Sequence, residues 1–354
     1  PAPAATAAAA VAGAEDEILA SRPIPESRHG AWIWLTSLLR GRGRARRSAV
    51  DDPGSGSIGV FDPLLGSINA RIGHRTFIDG YKIWPAAIEP DAFRIMTIGN
   101  STSMWPAYPW SRFLGRRLRE AGRSVAIYNG AGKGHSSSQE LLRVVRDAPG
   151  IRPDLIIALS GICDIGHLVN APDHPFQHKY RNDLDEAVIR HGLAEAANLG
   201  VPDPASPAEI WLRHQRLAHL MAAELGAEQL TVLQPVMGYG HHRRTPEEET
   251  VFRQKSRVVL RSRDQTYGEA LTAFYDEVRA RIAAEPDLHR HIVDLSDVFA
   301  EARGVYKDHR HPTEAGCEIE AAAIAEIVLS RFDPPRIAAA PRPDLATDPS
   351  REVP

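Results

Sequence analysis

An acid and a histidine three residues apart, Asp308 and His311, stand just ahead of a helical pattern and far downstream of Ser101. A serine hydroxyl is a poor nucleophile at neutral pH. It needs a base within hydrogen-bond reach, and that base needs a group to fix its tautomer. Ser101, His311 and Asp308 can fill those three roles, the serine attacking a carbonyl carbon and the histidine carrying its proton. The placement of Ser101 fits, because it follows the apolar run Phe93–Ile98 through Gly99-Asn100, two residues that tolerate a sharp turn.

Two further pieces lie between the serine and the histidine, each after an apolar run. Val125–Tyr128 leads into Asn129-Gly130-Ala131-Gly132-Lys133-Gly134-His135 and a serine-rich helix start, and Asp154–Leu159 leads into Ser160-Gly161-Ile162-Cys163-Asp164.

Over about residues 93–330, these four blocks in this order resemble the SGNH (GDSL-type) hydrolase family. The Asp308–His311 block is intact. Ser101 matches the family serine, with Asn100 where the family has an acid, and Gly134 falls on the family glycine counted from Asn129. The resemblance implies a serine esterase whose oxyanion hole uses the backbone N–H groups of Ser101 and Gly134 and an asparagine amide, where this chain has Cys163. A thiol is a much weaker donor than an amide, and loss of one such donor costs roughly 100- to 1000-fold in turnover. Slow turnover is the expectation unless Ser160 or the Asn100 amide donates instead. A cleft kept only for binding is the competing reading.

The elements that must position these groups follow from the apolar periodicity. Strands are expected at 93–98, 124–128, 154–159, 229–234 and 291–294, with helices near 107–121, 137–147, 205–226, 264–284 and 314–331. Such alternation implies an α/β fold, with a mostly parallel sheet covered by helices on both faces. With the resemblance, this becomes a three-layer α/β/α, flavodoxin-like arrangement around five parallel strands. Ligands then bind at the carboxyl ends of the strands, where Ser101, Gly134 and Cys163 all fall. Gln234, ending the fourth strand, and the His241–Pro246 loop belong to the same edge. With Asn100 and Ser160, Gln234 is a substrate-binding candidate.

Four parts are expected: 1–57, an Ala/Pro-rich tail with a short amphipathic helix and basic linker; 58–92, an extension packed on the core; 93–333, the catalytic domain; and 334–354, a Pro-rich tail. Residues 31–47 join Trp32-Ile33-Trp34-Leu35 to an arginine cluster, which suits either peripheral contact with an anionic membrane or a short helix packed on the domain. The stretch from His167 to Arg181 is rich in polar groups suited to a hydroxylated substrate.

Composition excludes several classes. The 354 residues, 43% hydrophobic and 25% charged, suffice for one sizeable domain, and the net charge of −3 gives no overall attraction to nucleic acid. No apolar run reaches the length of about 18 to 20 residues that crosses a bilayer. Two isolated cysteines make no disulfide framework, and no histidine spacing matches a zinc motif, so a metal-free and cofactor-free mechanism is expected. Pro1 in place of methionine is read as a processed or trimmed start, with an extracytoplasmic compartment as the expectation. The activity expected is removal of a small O-acyl group from a carbohydrate or glycan. Acyl transfer to a sugar hydroxyl and non-catalytic glycan binding are the alternatives.

Overall fold

The computed structural model describes residues 58–62, 64–70, 77–78, 81–85, 88–104, 109–165, 205–260 and 265–335. The 31–47 surface, the polar residues between His167 and Arg181, and the tail beyond 335 lie outside the described residues.

Five parallel strands form the centre: β5 (Phe93–Gly99), β6 (Val125–Asn129), β7 (Leu155–Ser160), β8 (Glu228–Leu233) and β11 (Ile292–Asp294). Their spatial order is β6-β5-β7-β8-β11. Counted along the chain this is 2-1-3-4-5, the flavodoxin-like doubly wound order, whose crevice opens where neighbouring connections diverge beside the first strand. Ser101 follows that strand. The expected fold class is therefore the observed one, and the sheet is wider than expected. Two short antiparallel strands from the extension, β3 (Phe77–Ile78) and β4 (Tyr81–Trp84), join at the β6 edge and bring the count to seven. A hairpin of β1 (Ile58–Asp62) and β2 (Gly66–Ala70) precedes them.

The described helices are the one-turn α1 (Ser101–Met104), α2 (Trp110–Glu120), α3 (Ser137–Ile151), α4 (Pro207–Glu224), α5 (Pro246–Ser256), α6 (Tyr267–Ala284) and α7 (Glu314–Arg331). Strand side chains alternate between two apolar layers, as the two-residue period of a strand requires. Ile95, Leu155, Ile157 and Leu159 face Phe113 and Leu114 of α2 and Ile324 of α7. Met96, Ile98, Ile156 and Ala158 face Val144 of α3 and Ala218 of α4. Both faces are buried, which is why the strands read as continuous apolar runs.

Helix α5, with the small hairpin of β9 (Val259–Leu260) and β10 (Gln265–Thr266), was not expected from periodicity. Its start was legible all the same. Thr245-Pro246 with Glu248 is a capping box with proline at the first helical position. The C-terminal boundary also shifts, because the carbonyls of Pro334 and Pro335 accept bonds from Arg123 Nη1 and Ser124 N and so seal the domain rather than begin a tail.

Candidate active site

The turn that carries Ser101 depends on a glycine. Gly99 has φ +148°, and a Cβ there would lie 2.6 Å from the Leu159 carbonyl oxygen and 2.8 Å from Ser103 Oγ. Glycine alone lets β5 end against β7 and release the chain into α1. Asn100, fully buried, accepts a bond from Thr102 N at 3.0 Å and donates to Gln234 Oε1 at 2.7 Å. An amide, unlike a carboxylate, can do both at once. Ser101 then opens α1, where its backbone N–H has no intrahelical acceptor.

The second half of the site is a tight loop ahead of α7. Thr313 N donates to Val305 O at 2.6 Å and Lys307 N to His311 O at 2.9 Å, so the loop closes on itself. His311 Nε2 lies 2.8 Å from Ser101 Oγ, and its Nδ1 lies 2.7 Å from Asp308 Oδ2. Asp308 Oδ1 accepts from the backbone N–H groups of Arg310 and His311, each at 2.9 Å. Burial opposes ionisation of Asp308, yet the bonds from His311 and Arg310 outweigh it and hold the carboxyl well below the usual carboxylate range. An ionised carboxylate only accepts, so His311 Nδ1 carries a proton toward Asp308 and Nε2 is the ring nitrogen that faces the Ser101 hydroxyl.

The loop is anchored from outside by Glu248 of α5. Its Oε1 accepts from Tyr306 N at 3.0 Å, and its Oε2 accepts from Thr245 N at 2.8 Å and lies 3.2 Å from His242 Nε2. Burial acts to raise its pKa, but these donors win and lower it. A carboxylate so held stabilises the fold fully above its unfolded pKa, and that contribution is lost as pH falls through the depressed folded value. Glu248→Ala is expected to destabilise the chain by about 3 kcal/mol at neutral pH. Urea unfolding should show that gap narrow toward acid, and a gap independent of pH would contradict the account.

The two middle blocks are stitched to the serine strand. Gly130 N donates to Thr97 O at 2.8 Å and Gly132 N to Gly99 O at 3.0 Å. Asn129 accepts from Ala131 N at 3.0 Å and donates to Ser103 O at 2.9 Å, two residues past Ser101. Gly134, partly exposed, takes φ +73°, a left-handed conformation that favours glycine. Asp164 is buried and accepts from Ser137 N at 3.0 Å and from the Ser137 hydroxyl, tying the third block to the start of α3. Ser137 Oγ also lies 2.8 Å from His214 Nδ1.

Three binding candidates from the sequence turn out to be internal supports. Ser160 is fully buried, and its hydroxyl accepts from Trp211 Nε1 at 2.9 Å and from Gln215 Nε2 at 3.4 Å. Gln234 is 1% exposed and spends its side-chain oxygen on Asn100. Asn100 is itself committed to Thr102 and Gln234, so neither proposed replacement donor for the oxyanion faces the cleft. In the His241–Pro246 loop, His242 is buried against Glu248, while exposed His241 pairs with Asp297 at 2.8 Å. Cys163 is not in a disulfide, is 4% exposed, and packs in a cluster with Ile162, Trp211 and Tyr267.

Other residues near the triad carry no motif and were missed. Tyr267 is 2% exposed, and its hydroxyl has no hydrogen-bond partner among the described residues. Lys255 Nζ stands 4.9 Å over its ring and the His309 ring meets it edge-on at 5.7 Å, while Arg310 Nε donates to His309 Nε2 at 2.8 Å. Burial and the Arg310 charge lower the pKa of His309 to about 4. Helices α5 and α6 bring Lys255 and Tyr267 here, and only folding could show it.

No family model matches the chain, and no curated protein matches it. Solved structures do. An acetyl xylan esterase is 13% identical with a TM-score of 0.42, over 66% of this chain and 99% of its own. A lipase/acylhydrolase from Enterococcus faecalis is 16% identical with a TM-score of 0.38, over 69% and 99%. An acetylxylan esterase from Geobacillus stearothermophilus is 14% identical with a TM-score of 0.38, over 66% and 92%. At these TM-scores the chemistry has to be argued from the chain's own residues.

Proposed function

We propose that the chain is a serine ester hydrolase of the SGNH type that removes a small O-acyl group from a carbohydrate. The observation that carries this reading is the continuous line from Ser101 Oγ through the His311 ring to Asp308, at 2.8 and 2.7 Å, at the open end of the doubly wound sheet. Ser101 Oγ attacks the ester carbonyl carbon as its proton passes to His311 Nε2. Collapse of the tetrahedral intermediate breaks the bond to the sugar oxygen, which leaves with that proton. A water molecule then attacks the acyl-serine and gives its proton to His311. Ser101 recovers a proton as the free acid departs. Asp308 stays ionised throughout and holds the imidazolium in place. Backbone N–H groups of Ser101 and Gly134 receive the oxyanion, and Cys163 adds only a weak donor.

A short acyl group is favoured by the polar character of His309, Arg310 and Lys255 beside the 308–311 loop. Transfer to a sugar hydroxyl would use the same acyl-enzyme, with the acceptor replacing water.

Cys163 favours one other reading, a cleft that binds glycans without turnover. Labelling with a fluorophosphonate separates the two. The expected result is stoichiometric modification that disappears in Ser101→Ala, and an unlabelled wild-type chain would reject the enzyme. Hydrolysis of aryl acetates and acetylated sugars, with and without an acceptor sugar, then distinguishes release from transfer.

A further inference from the structure

We propose, resting on the ester-hydrolase reading above, that Lys255, Tyr267 and Arg310 form a subsite for a carboxylate carried by the substrate, so that the chain acts on acidic esters. Two cations meet where the 308–311 loop adjoins the end of α5 and the start of α6. Arg310 stands between Asp308 and His311 in the chain, and its backbone N–H donates to Asp308 Oδ1 at 2.9 Å. Lys255, next to the last residue of α5, holds its Nζ 4.9 Å over the ring of Tyr267, the first residue of α6. The His309 ring meets the same tyrosine edge-on at 5.7 Å. The Arg310 charge acts on both Lys255 and Tyr267, so the three groups share one place beside the triad loop.

Neither cation has an acidic partner among the described residues. The acid of the same loop, Asp308, is committed, Oδ1 to the backbone N–H groups of Arg310 and His311 and Oδ2 to the His311 ring. Arg310 is held in orientation, because its Nε donates to His309 Nε2 at 2.8 Å. Burial and the Arg310 charge keep His309 neutral, so it accepts that bond, and the terminal nitrogens of the guanidinium are left for a ligand. Tyr267 is a second, independent sign. It is 2% exposed and its hydroxyl has no partner among the described residues, whereas buried polar groups are ordinarily paired. Burial raises the pKa of this phenol and keeps it a donor, and the charges of Arg310 and Asp308 both act on it, on the triad side. The N-terminus of α6 is not what draws an anion, since Thr266 and Glu269 close it with a capping box.

Charge decides between a carboxylate and a phosphate. Lys255 and Arg310 bring two positive charges and the ionised Asp308 one negative, which leaves a single unit to be balanced. A carboxylate supplies it, with two oxygens for the flat guanidinium and further lone pairs for the tyrosine hydroxyl and the ammonium. A phosphate dianion would set a second negative charge against Asp308. Lys255 gains as well, because burial and the Arg310 charge lower its pKa and an anion between the two cations opposes the second effect.

The test compares kcat/KM of the full chain on two matched pairs, an aryl hemisuccinate against the aryl acetate and O-acetylated glucuronate against its methyl ester. The first pair puts the carboxylate on the acyl half and the second on the alcohol half, so the pair that responds tells which half the site reads. In one of them the acid should be favoured at least about tenfold, and Lys255→Gln and Arg310→Gln should each remove most of that preference. Tyr267→Phe should reduce it without lowering the melting temperature, since loss of an unpaired hydroxyl costs the fold nothing. No preference for the acid in either pair, or a preference indifferent to both charge substitutions, would overturn the subsite. So would a Tyr267→Phe chain that melts lower with its preference intact. If no ester is turned over, titration calorimetry with succinate, glucuronate and inorganic phosphate decides. Carboxylate binding that both charge substitutions weaken would leave the subsite standing and remove the ester-hydrolase reading, while tighter binding of phosphate or no binding would overturn the subsite too.

Discussion

Ester turnover by the Ser101→Ala chain is expected to fall at least about 1000-fold, and that of His311→Ala by a similar factor. The two groups act as one unit, since the hydroxyl 2.8 Å from Nε2 attacks only as its proton leaves. The double substitution should therefore cost little more than either single one, because effects within such a unit are not additive. Asp308→Asn should retain more activity. The Asp308 side chain is 45% exposed, so solvent screens its charge and shares its work on the imidazolium. Residual turnover above about one per cent in either alanine variant, with the fold shown intact by circular dichroism, would remove the triad assignment.

Cys163→Asn is expected to raise turnover, by about 10- to 100-fold, because it places an amide donor where the thiol now stands. The structure sharpens this expectation, since both groups that could have replaced the missing donor are committed elsewhere. Asn100 is bound to Gln234 and Ser160 to Trp211 and Gln215. Tyr267, whose hydroxyl has no partner among the described residues, packs in the same cluster as Cys163. Cys163→Ala should change turnover little. Steady-state rates on an aryl acetate compare the three proteins, and equal losses in both variants would show that the thiol itself contributes.

Much of the site was legible from residue order because its parts are local. The 308–311 spacing sets acid and imidazole on one short loop, and an apolar run ending in Gly99-Asn100-Ser101 could hardly be other than a strand releasing a serine. The antiparallel strands β3 and β4 were harder to place. Their pattern reads as strand, but which edge they join is set by pairing with β6, a partner distant in sequence. The roles of Asn100, Ser160 and Gln234 were misjudged for a related reason. A polar residue at a strand's carboxyl end faces either the cleft or the interior, and hydrogen-bond partners on other strands and helices decide which.

The sequence by itself determined the doubly wound class and singled out Ser101, His311 and Asp308, which the fold brings together at the carboxyl edge of the sheet. Periodicity, glycine turns and short spacings encode these within a few residues. Only the tertiary structure decided that Glu248 anchors the triad loop and that Asn100 and Ser160 are buried against Gln234 and Trp211. Each of those facts is a contact between segments far apart in the chain, and burial and hydrogen-bond satisfaction exist only once those segments have packed.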